Sequence, residues 1–204
     1  MRIVCIGDVH GRPRWKQILN EIGQVDKVVF VGDYFDSFDI KGLLQIMNFQ
    51  DIVALKEADP DKVVLLIGNH DFHYMPVALN LKERYSGFQP KFATNIVHLL
   101  QQHKKLLQMC YVHDQFIFTH AGITKTWLKN NVDLQEDVEF GMPGDILEER
   151  INDLFTYKPQ SFLFTGYNPY GDDVTQSPIW VRPNSLAKDG INGIHVVGHT
   201  FTEK

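Results

Sequence analysis

Apolar residues in the first third of the chain fall into short continuous runs separated by stripes at helical spacing. The runs are Ile3-Val4-Cys5-Ile6, Val28-Val29-Phe30-Val31 and Val63-Val64-Leu65-Leu66-Ile67. A strand with one wet face alternates apolar and polar residues. A run without alternation predicts burial on both faces, as in a sheet covered by helices. Strands are therefore expected over 2–6, 27–31 and 62–67. Between the first two, Trp15, Ile18, Leu19 and Ile22 recur on one helix face. Between the second and third, 41–56 predicts a helix with Leu43, Leu44, Met47 and Leu55 turned inward. This alternation of strand and helix predicts an α/β architecture.

Further on, Ile96, Leu99, Leu100, Leu106 and Leu107 form an apolar stripe, with His103 at its edge as a core-edge histidine. Strands over 110–112 and 115–119, meeting at His113-Asp114, predict a hairpin. Asp145 with Glu148 three positions later has the form of a capping box. It opens a helix whose buried face is Leu147, Ile151, Leu154 and Phe155. Residues 161–173 are rich in Gly, Pro, Asn and aromatics and predict a long loop near a site opening. Residues 179–183 predict a short strand. There is no internal repeat, low-complexity tract or dividing linker, so 1–204 is expected to be one domain.

Composition narrows the class. The 44% of hydrophobic residues supports a packed core rather than disorder. The net charge of −5 speaks against a broad nucleic-acid-binding surface. Cys5 and Cys110 lack metal-type spacing and are expected to be buried free thiols in a reducing compartment, with a disulfide as the alternative. No segment approaches the ~20 apolar residues that span a bilayer, and Gly7-Asp8 interrupts the first apolar run too early for a signal peptide. The expectation is a cytoplasmic protein without a membrane partner.

The chemistry lies where the apolar runs end. They lead into Gly7-Asp8-Val9-His10-Gly11, Gly32-Asp33-Tyr34-Phe35-Asp36, Gly68-Asn69-His70-Asp71, Thr119-His120-Ala121-Gly122 and Gly198-His199-Thr200. Five such endings predict one site assembled from several strand ends. Asp8 and His10 stand two apart, so in extended chain both can reach one ion. Carboxylate, imidazole and amide donors together suit Mn, Fe or Zn better than Ca or Mg. No thiolate belongs to the set, which excludes a structural zinc finger. A glycine before each ligand permits a tight turn and close backbone approach. Six candidate ligands, Asp8, His10, Asp33, Asn69, His120 and His199, exceed what one catalytic ion with an open position needs. Two ions sharing a carboxylate are the more economical expectation. His70 and Asp36 remain, as a general acid and the carboxylate that orients it.

These blocks, in this order over residues 7 to 200, resemble the calcineurin-like metallophosphoesterases. Gly7-Asp8-Val9-His10-Gly11 and His120-Ala121-Gly122-Ile123-Thr124 resemble most the branch of Ser/Thr phosphoprotein phosphatases and symmetrical dinucleoside tetraphosphatases. The resemblance implies a four-layer α/β/β/α sandwich of two central mixed β-sheets flanked by helices. It implies that Asp8 and His10 bind a first metal, Asp33 bridges both, and Asn69, His120 and His199 bind the second. His70 is then the acid, paired with Asp36. The implied cofactors are two divalent ions, manganese first, with iron or zinc as alternatives.

Three departures qualify the likeness. Ser37-Phe38 stands where the phosphatase branch usually has Arg-Gly. Where that branch usually has Glu, this chain has Asp71, as the tetraphosphatases and the wider superfamily do. The chain stops at Lys204, soon after His199, where relatives usually continue, which fits a compact variant or a truncated C-terminus.

Arg182, in Trp180-Val181-Arg182-Pro183, is the candidate phosphate clamp; the alternative is a surface arginine stacked on Trp180. His73 is either an exposed loop residue or part of the pocket rim. Arg12 and Arg14 are expected at a solvated helix start, with a substrate contact as the alternative. Tyr34 and Phe35 are expected to pack. Tyr167 and Tyr170 either pack in their loop or stack on a base. His98, His113 and His195 are read as structural.

The expected function is dinuclear metal-dependent hydrolysis of phosphate esters, by in-line attack of metal-bound hydroxide, in the manner of Ser/Thr protein phosphatases. The partner is a phosphorylated substrate, a phosphoprotein or a nucleotide. The alternatives are a dinucleoside polyphosphate hydrolase and a catalytically silent metal-binding scaffold.

Overall fold

A computed structural model describes residues 1–79, 87–132, 143–165, 168 and 170–201. Tyr167, a candidate base-stacking residue, lies outside them. The chain forms two compact units, Met1–Leu107 and Gln108–Lys204.

The first unit is built on strands β1 (Ile3–Ile6), β2 (Lys27–Phe30) and β3 (Val63–Leu66). They run parallel, with Ile3 opposite Lys27, Ile6 opposite Phe30, and Phe30 opposite Leu65. The short β4 (Leu107–Gln108) follows β3 in the sheet order. Helices α1 (Arg14–Ile22) and α2 (Gly42–Ala58) make the crossovers that parallel strands require. All four residues of β3, and Val28, Val29 and Phe30 of β2, are buried, as the unbroken apolar runs predict. Trp15 of α1 packs edge-on against Phe30 at 5.6 Å, and its Nε1 donates to Asn48 Oδ1 of α2 at 3.0 Å.

Helix α2 forms as expected but turns the other face inward. Gln45, Asn48, Phe49, Ile52 and Val53 are buried, Leu55 is half-buried, and Leu43, Leu44 and Met47 are exposed. The cause is hydrogen bonding. Gln45 Nε2 donates to Ile40 O at 2.6 Å and Oε1 accepts from Ser37 N at 3.4 Å, while Asn48 serves Trp15. Gln45, partnered at both ends of its amide, costs little when buried and anchors the loop leaving β2 to the helix, while Asn48 ties α2 to α1 through its oxygen.

The rest of this unit comprises α3 (Asn69–Phe72), a 3₁₀ turn at Pro90–Phe92, and α4 (Ala93–Gln102) burying Ile96, Leu99 and Leu100.

In the second unit, β5 (Tyr111–His113) and β6 (Phe116–Phe118) form the expected antiparallel hairpin, turning at Asp114 with φ 51°. β6 also pairs in parallel with β7 (Ile194–Val196), so this sheet is mixed. Its helices are α5 (Lys125–Asn131), α6 (Gly144–Tyr157) and α7 (Pro183–Asp189). The protein is thus α/β with two sheets and flanking helices.

Helix α6 buries Leu147, Ile151, Leu154 and Phe155, as the spacing predicts. Glu148 does not cap it; its carboxylate accepts from Val112 N at 2.7 Å. One turn on, Asn152 accepts from Met109 N at 2.8 Å and donates to Cys110 O at 2.9 Å. The pair satisfies backbone of the strand edge instead of the helix end. Residues 179–181 are buried, but as a turn held by Trp180 N and Val181 N donating to Ser177 O, not as a strand. Pro183 then opens α7 at a position where its missing N–H is harmless. Helices α5 and α7 have seven residues each, too short for a readable period.

Cys5 and Cys110 are free thiols; burial, with the Asp8 charge adding to it, pushes Cys5 up to about 12. No helix among the described residues is long and apolar enough to cross a membrane.

The inverted α2 face gives a direct test. Leu44→Lys is expected to change stability by no more than about 0.5 kcal/mol, while Phe49→Ala costs about 3–5 kcal/mol. Urea unfolding midpoints with an unchanged slope decide it; comparable losses for both variants would contradict the assigned face.

Candidate metal centre

In the first unit the site starts from two glycines. Gly32 has φ 101°, and a Cβ there would run into the backbone of Gly68; a Cβ on Gly68 would run into the Asp33 side chain. The loops leaving β2 and β3 therefore lie backbone against backbone, which only glycine allows. Gly7 differs, since a Cβ there meets nothing within 4 Å. Crowding explains the glycines before Asp33 and Asn69 and not the one before Asp8.

Asp71 holds these loops together. Its buried carboxylate accepts from Tyr34 N at 2.7 Å through Oδ1, and from Asp33 N at 2.7 Å and Gly68 N at 3.0 Å through Oδ2. In the sequence Asp71 carried only a family distinction. The available signal was its place three residues after Gly68, where an acidic side chain reaches back to the N–H before the helix.

Asp33 is thereby aimed with little freedom. Its Oδ1 accepts from His70 N at 2.9 Å, and its Oδ2 lies 3.7 Å from His10 Nε2. Carboxylate oxygens of Asp8 and Asp33 come within 4.8 Å of each other. His10 Nδ1 lies 2.7 Å from Phe35 O. A carbonyl only accepts, so Nδ1 carries a hydrogen and Nε2 is the nitrogen turned toward Asp33, the tautomer a metal-ligating histidine uses. Asn69 is buried at the first position of α3, beside His70.

Five described non-glycine residues have positive φ: His10, Asp33, Asp36, His199 and the hairpin residue Asp114. Four of the five are candidate site residues. Such conformations cost on the order of 1–3 kcal/mol and persist where the surroundings impose them.

Asp36 gathers three side chains. Oδ2 lies 3.0 Å from His70 Nδ1 and 2.7 Å from His73 Nε2, and Oδ1 accepts from Tyr74 Oη at 2.5 Å. Burial pushes the Asp36 carboxyl up, but the bonds from His70, His73 and Tyr74 outweigh it and hold it below the ordinary range. Burial pushes His70 down; the bond to Asp36 and the charges of Asp33, Asp36 and Asp71 outweigh that and leave its imidazole raised. At His73 burial prevails and the imidazole is lowered. Two histidines on one carboxylate thus separate, one favouring the charged form and one the neutral form.

In the second unit His120 is fully buried at the end of β6. Its carbonyl accepts from Gly198 N at 2.9 Å, and Ala121 N donates to Pro178 O at 2.7 Å. The His120 and His199 rings stand 5.0 Å apart, with Trp180 edge-on to His199 at 6.0 Å. Arg182 donates through Nε to Tyr170 O at 2.8 Å, and through one terminal nitrogen to His199 O and Thr200 Oγ1, both at 3.1 Å. These bonds hold the turn carrying His199.

Of the six candidate ligands, Asp8, His10, Asp33 and Asn69 belong to the first unit and His120 and His199 to the second, and each unit gathers its own. Tyr34 and Phe35 pack on Phe49, as expected. Arg12 pairs with Asp39 at an exposed position. His195 Nε2 lies 3.1 Å from Ile191 O, a structural contact.

Comparison with known proteins agrees with this chemistry. The family model described as calcineurin-like phosphoesterase matches residues 1–202, and the chain belongs to that family. It is 24% identical over 168 residues to a symmetrical bis(5'-nucleosyl)-tetraphosphatase of Vibrio parahaemolyticus, and 26% identical over 152 residues to one of Nitrosomonas europaea. These matches cover 78% and 71% of this chain but only 59% and 54% of the relatives. Among solved structures, a cold-active protein tyrosine phosphatase superposes with TM-score 0.53 and 18% identity, over 98% of this chain and 64% of that one. The cold-active protein-tyrosine phosphatase of a psychrophilic Shewanella gives TM-score 0.50 and 19% identity, over 89% and 56%. At these identities the likeness is one of fold.

Asp71→Ala leaves the N–H groups of Asp33, Tyr34 and Gly68 without their acceptor, at about 1–3 kcal/mol for each one left buried. The expected loss in urea unfolding is at least about 3 kcal/mol. An unchanged midpoint would contradict the role given to Asp71.

Proposed function

Within the calcineurin-like phosphoesterases, we propose that this chain is a metal-dependent phosphoesterase in which the two units act as one catalytic domain over 1–204. The observation that carries it is the Asp36–His70 pair in the same loop cluster as the Asp8 and Asp33 carboxylates.

The residues present suit divalent ions. Two carboxylates brought within 4.8 Å repel unless a cation lies between them, and His10, held through Nδ1, turns Nε2 toward Asp33 as a ligand would. Asp8 and His10 would hold one ion, Asp33 would be shared, and Asn69, His120 and His199 would hold the second. Manganese, iron and zinc all match this donor set. Bound there, such ions would activate water and neutralise phosphoryl charge.

The chain's own groups do the rest. His70 Nε2 gives a proton to the leaving oxygen, and Asp36 holds the ring and stabilises its charged form. Arg182, proposed as a phosphate contact, also holds the His199 turn.

Phosphate monoesters were the first expectation from the sequence. Both tetraphosphatase relatives, Asp71 in Gly-Asn-His-Asp, and Ser37-Phe38 in place of Arg-Gly instead support a dinucleoside polyphosphate.

The test is one panel of diadenosine tetraphosphate, p-nitrophenyl phosphate and a phosphopeptide, assayed with manganese, iron or zinc. The highest kcat/KM is expected on the tetraphosphate. His70→Ala is expected to lower kcat by roughly 10²–10⁴ with bound metal unchanged. Metal-replete protein that hydrolyses none of the three would support the silent scaffold instead. Unchanged turnover in His70→Ala would remove the acid.

A further inference from the structure

The Asp36 network contains more than an acid and its orienting carboxylate. Tyr74 Oη lies between Asp36 Oδ1 at 2.5 Å and Gln89 N at 2.8 Å. A backbone N–H can only donate, so the hydroxyl accepts from Gln89 and must send its own proton to Asp36. An ionised carboxylate only accepts, so both nitrogens facing Oδ2 carry hydrogens, Nδ1–H on His70 and Nε2–H on His73. Three donors converge on a group with about four acceptor positions. That fixes the plane of the carboxylate and leaves His70 Nε2 as the nitrogen that exchanges a proton with substrate.

The supports are themselves packed. Tyr74 stacks on Phe88 at 5.0 Å and meets the His73 ring at 4.6 Å, and His73 meets Phe88 at 5.2 Å. His73 is 1% exposed and Tyr74 fully buried, so neither touches substrate. Gln89 Nε2 also donates to Ser37 O at 3.2 Å, and a Cβ on Gly87 would press on Asp36 O. Residues 87–89 are thereby clamped to the Asp36 loop through the Tyr74 hydroxyl.

We propose that Tyr74 and His73 are positioning residues for general-acid catalysis: by donating to Asp36 beside His70 they hold its carboxylate in the orientation that fixes the His70 tautomer. This rests on the reading of His70 as the acid, and it accounts for a buried histidine and tyrosine that metal binding does not use.

Acid catalysis matters when the leaving group is poor and little when it is good. Tyr74→Phe keeps the ring and removes the bond. It is expected to lower kcat on phenyl phosphate by roughly tenfold, the scale of losing a supporting hydrogen bond behind an active group, while p-nitrophenyl phosphate changes by less than about twofold. In a His70→Ala background Tyr74→Phe is expected to cost nothing more, because both act through one proton. His73→Gln, which keeps an N–H donor in reach of Asp36, is expected to stay within about threefold of the parent on both esters. Nitrogen NMR of the metal-stripped protein reads the mechanism without turnover: neutral His70 is expected as the Nδ1–H tautomer in the parent and as a mixture in Tyr74→Phe.

Equal losses on both esters, the same loss when His70 is already Ala, or an unaltered tautomer in Tyr74→Phe would overturn the proposal. Should His70→Ala show no dependence on the leaving group, the acid assignment fails instead, and the tautomer measurement still decides whether Tyr74 positions the ring.

Discussion

The arrangement of the first unit depends on one buried carboxylate. Asp71 collects the backbone N–H groups of Asp33, Tyr34 and Gly68 and so pins the loops after β2 and β3 to each other. Gly32 and Gly68 make this contact possible, since a methyl group on either would force the loops apart. From it follow the aim of Asp33, the 3.7 Å approach of His10 Nε2 to Asp33, and the reach of His70 to Asp36. A buried charge satisfied by several N–H donors gives rigidity as well as stability, and an ion site needs that rigidity.

The same site carries costs that packing elsewhere must offset. His10, Asp33 and Asp36 hold left-handed backbone conformations that no glycine relieves, and two carboxylates face each other at short range. The Tyr34–Phe49 and Phe35–Phe49 contacts, the Trp15–Asn48 bond and the fully buried β3 lie directly behind these loops. Strain held this way points to function, because a purely structural loop would have relaxed it.

How much of this was legible in the sequence follows from what each residue does. Strands β2 and β3 were readable because burial on both faces leaves an unbroken apolar run; β1 carries the same kind of run but is half-buried over Ile3–Cys5. The site blocks were readable because carboxylates and imidazoles cluster after glycine for few other reasons. The inward face of α2 was not, because Gln45 and Asn48 are buried through hydrogen bonds that hydropathy cannot register. Glu148 matched a capping pattern, yet the nearer unsatisfied donor was Val112 N, which no local pattern reveals. Residues 179–181 have strand composition but turn inward as a plug, and Asp71, His73 and Tyr74 act through partners distant in sequence.

The proposed function requires that Asp8, His10, Asp33, Asn69, His120 and His199 hold a pair of ions, with Asp33 shared between them. Metal content per chain, measured after manganese loading and gel filtration for the parent protein and for Asp33→Asn, tests it most directly. The account requires two ions in the parent and a marked loss of both in Asp33→Asn. One ion or none in the parent, or two retained in the variant, would contradict it.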